Sequence, residues 1–145
     1  MIVVADTSGL LTLYNRSDPA HEAARKVADA CGLLVSTPLA LTEAHQVATS
    51  RAGRAAADAV LASLSARVRE SRLVLAPLSP EVLDAALAVR ARYAELDLDL
   101  VDAVNVAVAA EYGTDAVLTR DLRDFRVLRP LGGVYTHFRI LPEDA

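Results

Sequence analysis

Several things are scarce in this chain of 145 residues, and each scarcity removes a class of function. Cys31 is the only cysteine, which excludes an internal disulfide and any zinc site built on thiolates. Lys26 is the only lysine among 15 basic residues, so chemistry that needs an active-site lysine has a single candidate in a helix-like surface segment. Tryptophan is absent and aromatics make up 4%, which argues against a base-stacking platform for single-stranded nucleic acid. Positive charge is not in excess either. The formal net charge is −4 and the pI about 5.3, so a broad basic coat over nucleic acid is ruled out. The longest uncharged stretch, Ala30 to Thr42, is too short to cross a bilayer and contains Pro38. The first residues, Met1 to Asp6, lack a basic segment and a cleavage-like site, so no leader and a cytoplasmic protein are expected.

What remains is apolar enough to fold: 53% hydrophobic and 23% charged residues. That balance excludes a disordered or collagen-like chain, and the length suits one domain, residues 1–145. Short apolar runs alternate with longer Ala-rich stretches, the pattern of an α/β domain on a mainly parallel sheet. Strands are expected at Ile2–Ala5, Leu33–Ser36, Leu73–Ala76, Ala116–Thr119 and Val134–Leu141. Helices are expected at Ser8 to about Tyr14, Ala20–Ala30 behind an Asp18-Pro19 start, Leu39–Ala52 and Arg54–Glu70. Ser79-Pro80-Glu81 opens a further helix to about Glu95. Val101–Tyr112 mixes strand-forming valines with a helical length and a closing Gly113; helix is the reading adopted.

Ligands in open parallel sheets bind beyond the carboxyl ends of strands. Two strands end alike here, Ile2-Val3-Val4-Ala5-Asp6 and Ala116-Val117-Leu118-Thr119-Arg120-Asp121. Glu43 follows the second strand, and Asp102 begins the Val-rich helix, so four carboxylates from distant segments could share one cleft. Acids packed together repel, and such a cluster calls for a proton or a hard cation. Oxygen-only donors suit Mg²⁺ or Mn²⁺, which can bind phosphate and activate water. The alternative for each acid is a helix cap or a solvated loop, and spacing alone leaves both open. Rival constellations fail on the same residues. A receiver domain needs a late lysine, a haloacid-dehalogenase-type phosphatase needs an acid where Ser8 stands, and a metal-dependent adhesion site needs a serine where Leu10 stands. No Gly-x-Gly-x-x-Gly is present for a dinucleotide.

The run Val3-Val4-Ala5-Asp6-Thr7-Ser8-Gly9-Leu10-Leu11, Glu43 in Thr42-Glu43-Ala44, and Leu100-Val101-Asp102-Ala103 resemble PIN-domain ribonucleases. Val117-Leu118-Thr119-Arg120-Asp121-Leu122-Arg123-Asp124-Phe125, followed by Arg129-Pro130, is similar to the VapC toxins of bacterial toxin–antitoxin pairs. The resemblance implies a three-layer α/β/α sandwich around a five-stranded parallel sheet. It places the four family acids on Asp6, Glu43, Asp102 and Asp121, which would hold Mg²⁺ or Mn²⁺ and drive hydrolysis of an RNA phosphodiester. It further implies a structured RNA substrate such as tRNA or ribosomal RNA, a VapB-type antitoxin whose basic residue enters the acidic cleft, and a homodimer. A processing nuclease without an antitoxin, and a non-catalytic module of the same fold, are the alternatives.

Asp99 departs from the pattern, since many relatives carry a small residue there; an N-cap role is expected for it. Thr7 or Ser8 is expected to cap the first helix, with a hydroxyl orienting Asp6 as a second possibility. Asp97 is expected to be solvated and Asp124 to cap or pair locally. Arg120, Arg123, Arg126 and Arg129 recur every third residue. Solvated pairing is expected for Arg123 and Arg126, while a phosphate clamp and a solvated face stand level for Arg120 and Arg129. His21, His45 and His137 have no metal-ligand spacing and are expected in surface or packing roles.

Overall fold

A computed structural model describes residues 1–145. The strands are β1 (Ile2–Ala5), β2 (Leu33–Ser36), β3 (Leu73–Leu75), β4 (Ala116–Leu118) and β5 (Arg139–Leu141). They form one parallel sheet in the order β3-β2-β1-β4-β5. The helices are α1 (Thr7–Tyr14), α2 (His21–Ala30), α3 (Pro38–Ala52), α4 (Arg54–Arg69), α5 (Pro80–Arg92), α6 (Leu100–Glu111) and α7 (Leu122–Val127). A single 3₁₀ turn, Ala94–Leu96, links α5 to α6.

The period-2 alternation of the strands sorts their side chains into two cores. Val4, Val35, Val117 and Ile140 join α5, α6 and Phe125 of α7 on one face. Val3, Ala5, Leu34, Leu73, Ala116 and Leu118 join α1, α2 and residues of α3 and α4 on the other. The result is the three-layer α/β/α sandwich expected from the sequence. Val101–Tyr112 is helical because α6 is buried on almost every side, from Ala103 to Ala109. A fully buried helix can carry valines all round, and packing outweighs their strand preference.

Local differences have local causes. Asp18 does not cap α2 directly; its side chain accepts from the Ala20 N–H at 2.8 Å, and the helix starts at His21. The last strand keeps only Arg139–Leu141 of the expected Val134–Leu141, following a loop that holds Gly132 and Gly133 at positive φ. Helix α5 stops at Arg92, short of Glu95, where the 3₁₀ turn takes over. Helix α7 had no counterpart among the expected elements. Its six residues bury only Phe125, too little for a readable period.

After β1 the chain builds β2 and β3 on one side, then returns to lay β4 on the other. The switch therefore falls between β1 and β4, where an open crevice forms at the carboxyl ends.

Candidate metal centre

Asp6 is the first residue beyond β1 and is 3% exposed. It is the N-cap of α1, with extended backbone, and Oδ1 accepts from the Gly9 N–H at 2.8 Å. The cap expected from Thr7 or Ser8 thus belongs to Asp6 itself. Ser8 has the second role considered for it, since its hydroxyl donates to Asp6 Oδ1 at 2.8 Å. Thr119 Oγ1 donates to Asp6 Oδ2 at 2.5 Å. Both hydroxyls are themselves held by backbone donors from the loop after β4. The Arg120 N–H donates to Ser8 Oγ and the Asp121 N–H to Thr119 Oγ1, each at 2.9 Å. One carboxylate is thereby locked across the sheet switch by residues from both flanking strands.

Four further acids are set by helix starts. Thr37 caps α3 by accepting from the Ala40 N–H, with Pro38 in the first turn, and this start brings Glu43 half-buried to the crevice. Asp99 caps α6, accepting from the Asp102 N–H at 2.9 Å as its spacing predicts. That leaves the Asp102 side chain free of the cap and facing the crevice. Asp121 caps α7, accepting from the Asp124 N–H at 3.1 Å.

Asp6, Glu43, Asp99, Asp102 and Asp121 all line one cavity of about 450 Å³, together with Arg51 and Arg120. Within the acids, carboxylate oxygens of Asp102, Asp121 and Asp124 lie within 4.8 Å of one another. Asp124 is the member that sequence reasoning left out. Its place follows from the turn of α7 after Asp121, an element with no legible period.

Burial first, and then the crowding of charge, show in the protonation of these groups. Burial pushes Asp6 up to about 6 against the pull of its three hydrogen bonds, with the Asp121 charge adding to the rise. Asp102 is pushed up to about 8, first by burial and then by the charges of Asp99, Asp6, Asp121 and Asp124. Asp124 is raised by burial and by Asp121. A divalent cation would relieve this repulsion. Thr7 Oγ1, buried, without a partner and lining the same cavity, leaves a further oxygen donor available. The donor set is all oxygen, which suits a hard cation such as Mg²⁺ or Mn²⁺.

The arginines separate. Arg120 lines the cavity with Nε 3.7 Å from Asp18 Oδ2. Arg126 makes a bidentate pair with Asp144, and Arg129 donates to the Thr136 carbonyl. His21 is buried with Nδ1 2.8 Å from the Thr12 carbonyl oxygen, a packing role.

The family model for the PIN domain matches residues 3–129. The chain belongs to the PIN-domain family. Among curated proteins, this PIN domain is 31% identical over 141 residues to Ribonuclease VapC26 of Mycobacterium tuberculosis (strain ATCC 25618 / H37Rv), covering 97% of this chain and 100% of that protein. At that identity and coverage it is a VapC-type member of the family. Its fold is similar to that of Mycobacterium tuberculosis VapC20, described as a Sarcin-Ricin loop cleaving toxin (TM-score 0.71, 23% identity, covering 85% of this chain and 92% of that one). The fold is also shared with VapBC2 from Rickettsia felis, solved bound to a DNA fragment from their promoter (TM-score 0.65, 12% identity, covering 88% and 93%).

Proposed function

We propose that this single PIN domain, residues 1–145, is a metal-dependent endoribonuclease acting as the toxin of a VapBC-type pair. The observation that carries the reading is the convergence of Asp6, Glu43, Asp102 and Asp121 on one cavity of a VapC-type chain. Asp102 and Asp121, with Asp124 beside them, would hold Mg²⁺ or Mn²⁺. Asp6, pinned by Ser8, Gly9 and Thr119, keeps the wall of the site rigid. When bound, the ion supplies charge neutralisation at the phosphate and lowers the pKa of water. Glu43, which lines the crevice from α3, is proposed to take a proton there. The proposed substrate is a structured RNA such as tRNA or ribosomal RNA, and the proposed compartment is the cytoplasm. No helix of the chain is long and apolar enough to cross a membrane.

The proposed partner is a small VapB-type antitoxin. An apolar trough of about 530 Å³ between α1, α3 and α4 adjoins the acidic cavity, sharing Leu11, Asn15 and Arg51 with it. A chain seated there could extend a basic side chain to the acids. A homodimer is proposed through α5, whose Val82, Ala86 and Val89 are core while Leu87 is 50% exposed.

The test is cleavage of bacterial RNA by purified protein with Mg²⁺ or Mn²⁺. Cleavage should vanish in EDTA and in Asp121→Asn, and antitoxin co-expression should rescue growth. Cleavage that persists in EDTA overturns the metal assignment. Cleavage without growth arrest favours a processing nuclease, and no cleavage favours a binding module.

A further inference from the structure

Glu43, Val47 and Arg51 fall four residues apart along one face of α3, and all three line the acidic cavity. At 1.5 Å of rise per residue, Arg51 lies about 12 Å along the helix from Glu43. It sits in the last turn, where the negative end of the helix favours a cation, and Gly53 at φ 89° ends the helix two residues later.

Only two cations line this cavity, and they differ. Arg120 has a carboxylate partner in Asp18. Arg51 is exposed and belongs to none of the ion pairs of the chain, although six carboxylates line the same cavity. The cavity, the apolar trough and a shallow depression beside Gln46 and Ser50 all meet at this side chain. An extended anion leaving the acidic centre along α3 therefore passes a free guanidinium. Arginine grips phosphate through two parallel N–H bonds, which fixes orientation as well as charge.

The geometry points to Arg51 as the residue that holds an RNA phosphate flanking the one being cleaved and so sets the register of the strand in the cleft. The offset along α3 makes a neighbouring phosphate, and not the reacting one, its ligand. This inference rests on the nuclease reading above.

The probes are purified bacterial ribosomal RNA and bulk tRNA, cleaved in Mg²⁺ by wild-type protein, Arg51→Lys, Arg51→Ala and Arg51→Glu. All four should give the same circular dichroism spectrum, because the side chain is exposed and the helix tolerates each residue. Arg51→Ala should raise KM about tenfold, the loss expected for one charge-assisted contact, with kcat nearly unchanged. Arg51→Lys should recover part of that loss, and Arg51→Glu should be worse than Ala. The dependence of log(kcat/KM) on log salt should flatten by about 1 in Arg51→Ala. Unchanged KM and salt slope overturn the inference while leaving the nuclease reading intact, as does a fall in kcat at constant KM. Failure of the wild-type protein to cleave either RNA overturns the nuclease reading and this inference with it.

Discussion

Asp99 and Asp102 lie three residues apart and do different work. Asp99 spends a side-chain oxygen on the Asp102 N–H, while Asp102 turns its own carboxylate toward Asp121 and Asp124. Asp99→Asn keeps the cap and removes a charge that raises Asp102. Most cleavage should survive, and metal should load at a lower pH than in the parent. Asp99→Ala loses the cap and should cost about 0.5–2 kcal/mol of stability, read by urea denaturation. Asp102→Asn should abolish metal-dependent cleavage yet fold normally, since it deletes a charge that its neighbours repel. If Asp99→Asn is inactive and Asp102→Asn active, the third acid has been placed on the wrong residue. The sequence made this division legible, because an N-cap and the residue three along are a short-range relation. The same short-range relation links Asp6 to the Gly9 N–H, although the cap of α1 was expected from Thr7 or Ser8. What the sequence did not reveal is the Thr119 hydroxyl on Asp6, which arrives from across the sheet switch. Ser8 and Thr119 are 111 residues apart.

Gly9 carries the same lesson to the packing of elements. In a helix, glycine is about 0.5–1 kcal/mol worse than alanine, so Gly9→Ala would ordinarily stabilise α1. Here a Cβ would overlap the Leu118 carbonyl, at 2.8 Å from its carbon, because α1 lies directly against β4. Gly9→Ala should instead destabilise the protein by about 1–3 kcal/mol, the cost of forcing a methyl into a packed core. The Gly9 N–H bonds Asp6, so the same shift should lower cleavage before it unfolds the protein. Thermal melting and activity on one preparation check both; a more stable, fully active Gly9→Ala removes the argument. Helices were readable here from their length and caps, and strands as short apolar runs set between them. Helix α7 was not foreseen, because it rests on the single buried Phe125, held edge to face by Phe138. Strand β5 was expected but begins later, at Arg139, where it pairs with β4.

At the scale of the whole molecule, the crowded acids tie folding to pH and to metal. Asp6 is raised from 3.8 to about 6 and Asp102 from 3.8 to about 8. A carboxyl raised in the folded state holds its proton there after the unfolded chain has released it. Between those values the folded protein binds more protons, so its stability must fall as pH rises. The contribution is fully present below about 4 and is lost as pH passes the raised values. Asp18 is lowered, chiefly by the Ala20 N–H, and Asp144 chiefly by Arg126, so both finish titrating below that window. In EDTA the melting temperature should therefore decline from about pH 5 to about pH 8.5. Saturating Mg²⁺ or Mn²⁺ binds the ionised acids of the folded state only, so its stabilising effect should grow as pH rises. Asp102→Asn isolates the cause: its melting temperature in EDTA should exceed the parent's at the alkaline end, and its response to metal should be weak. A parent whose stability in EDTA is flat across that range, with no separation from Asp102→Asn, would show that these carboxylates do not share the charge the cavity geometry assigns them.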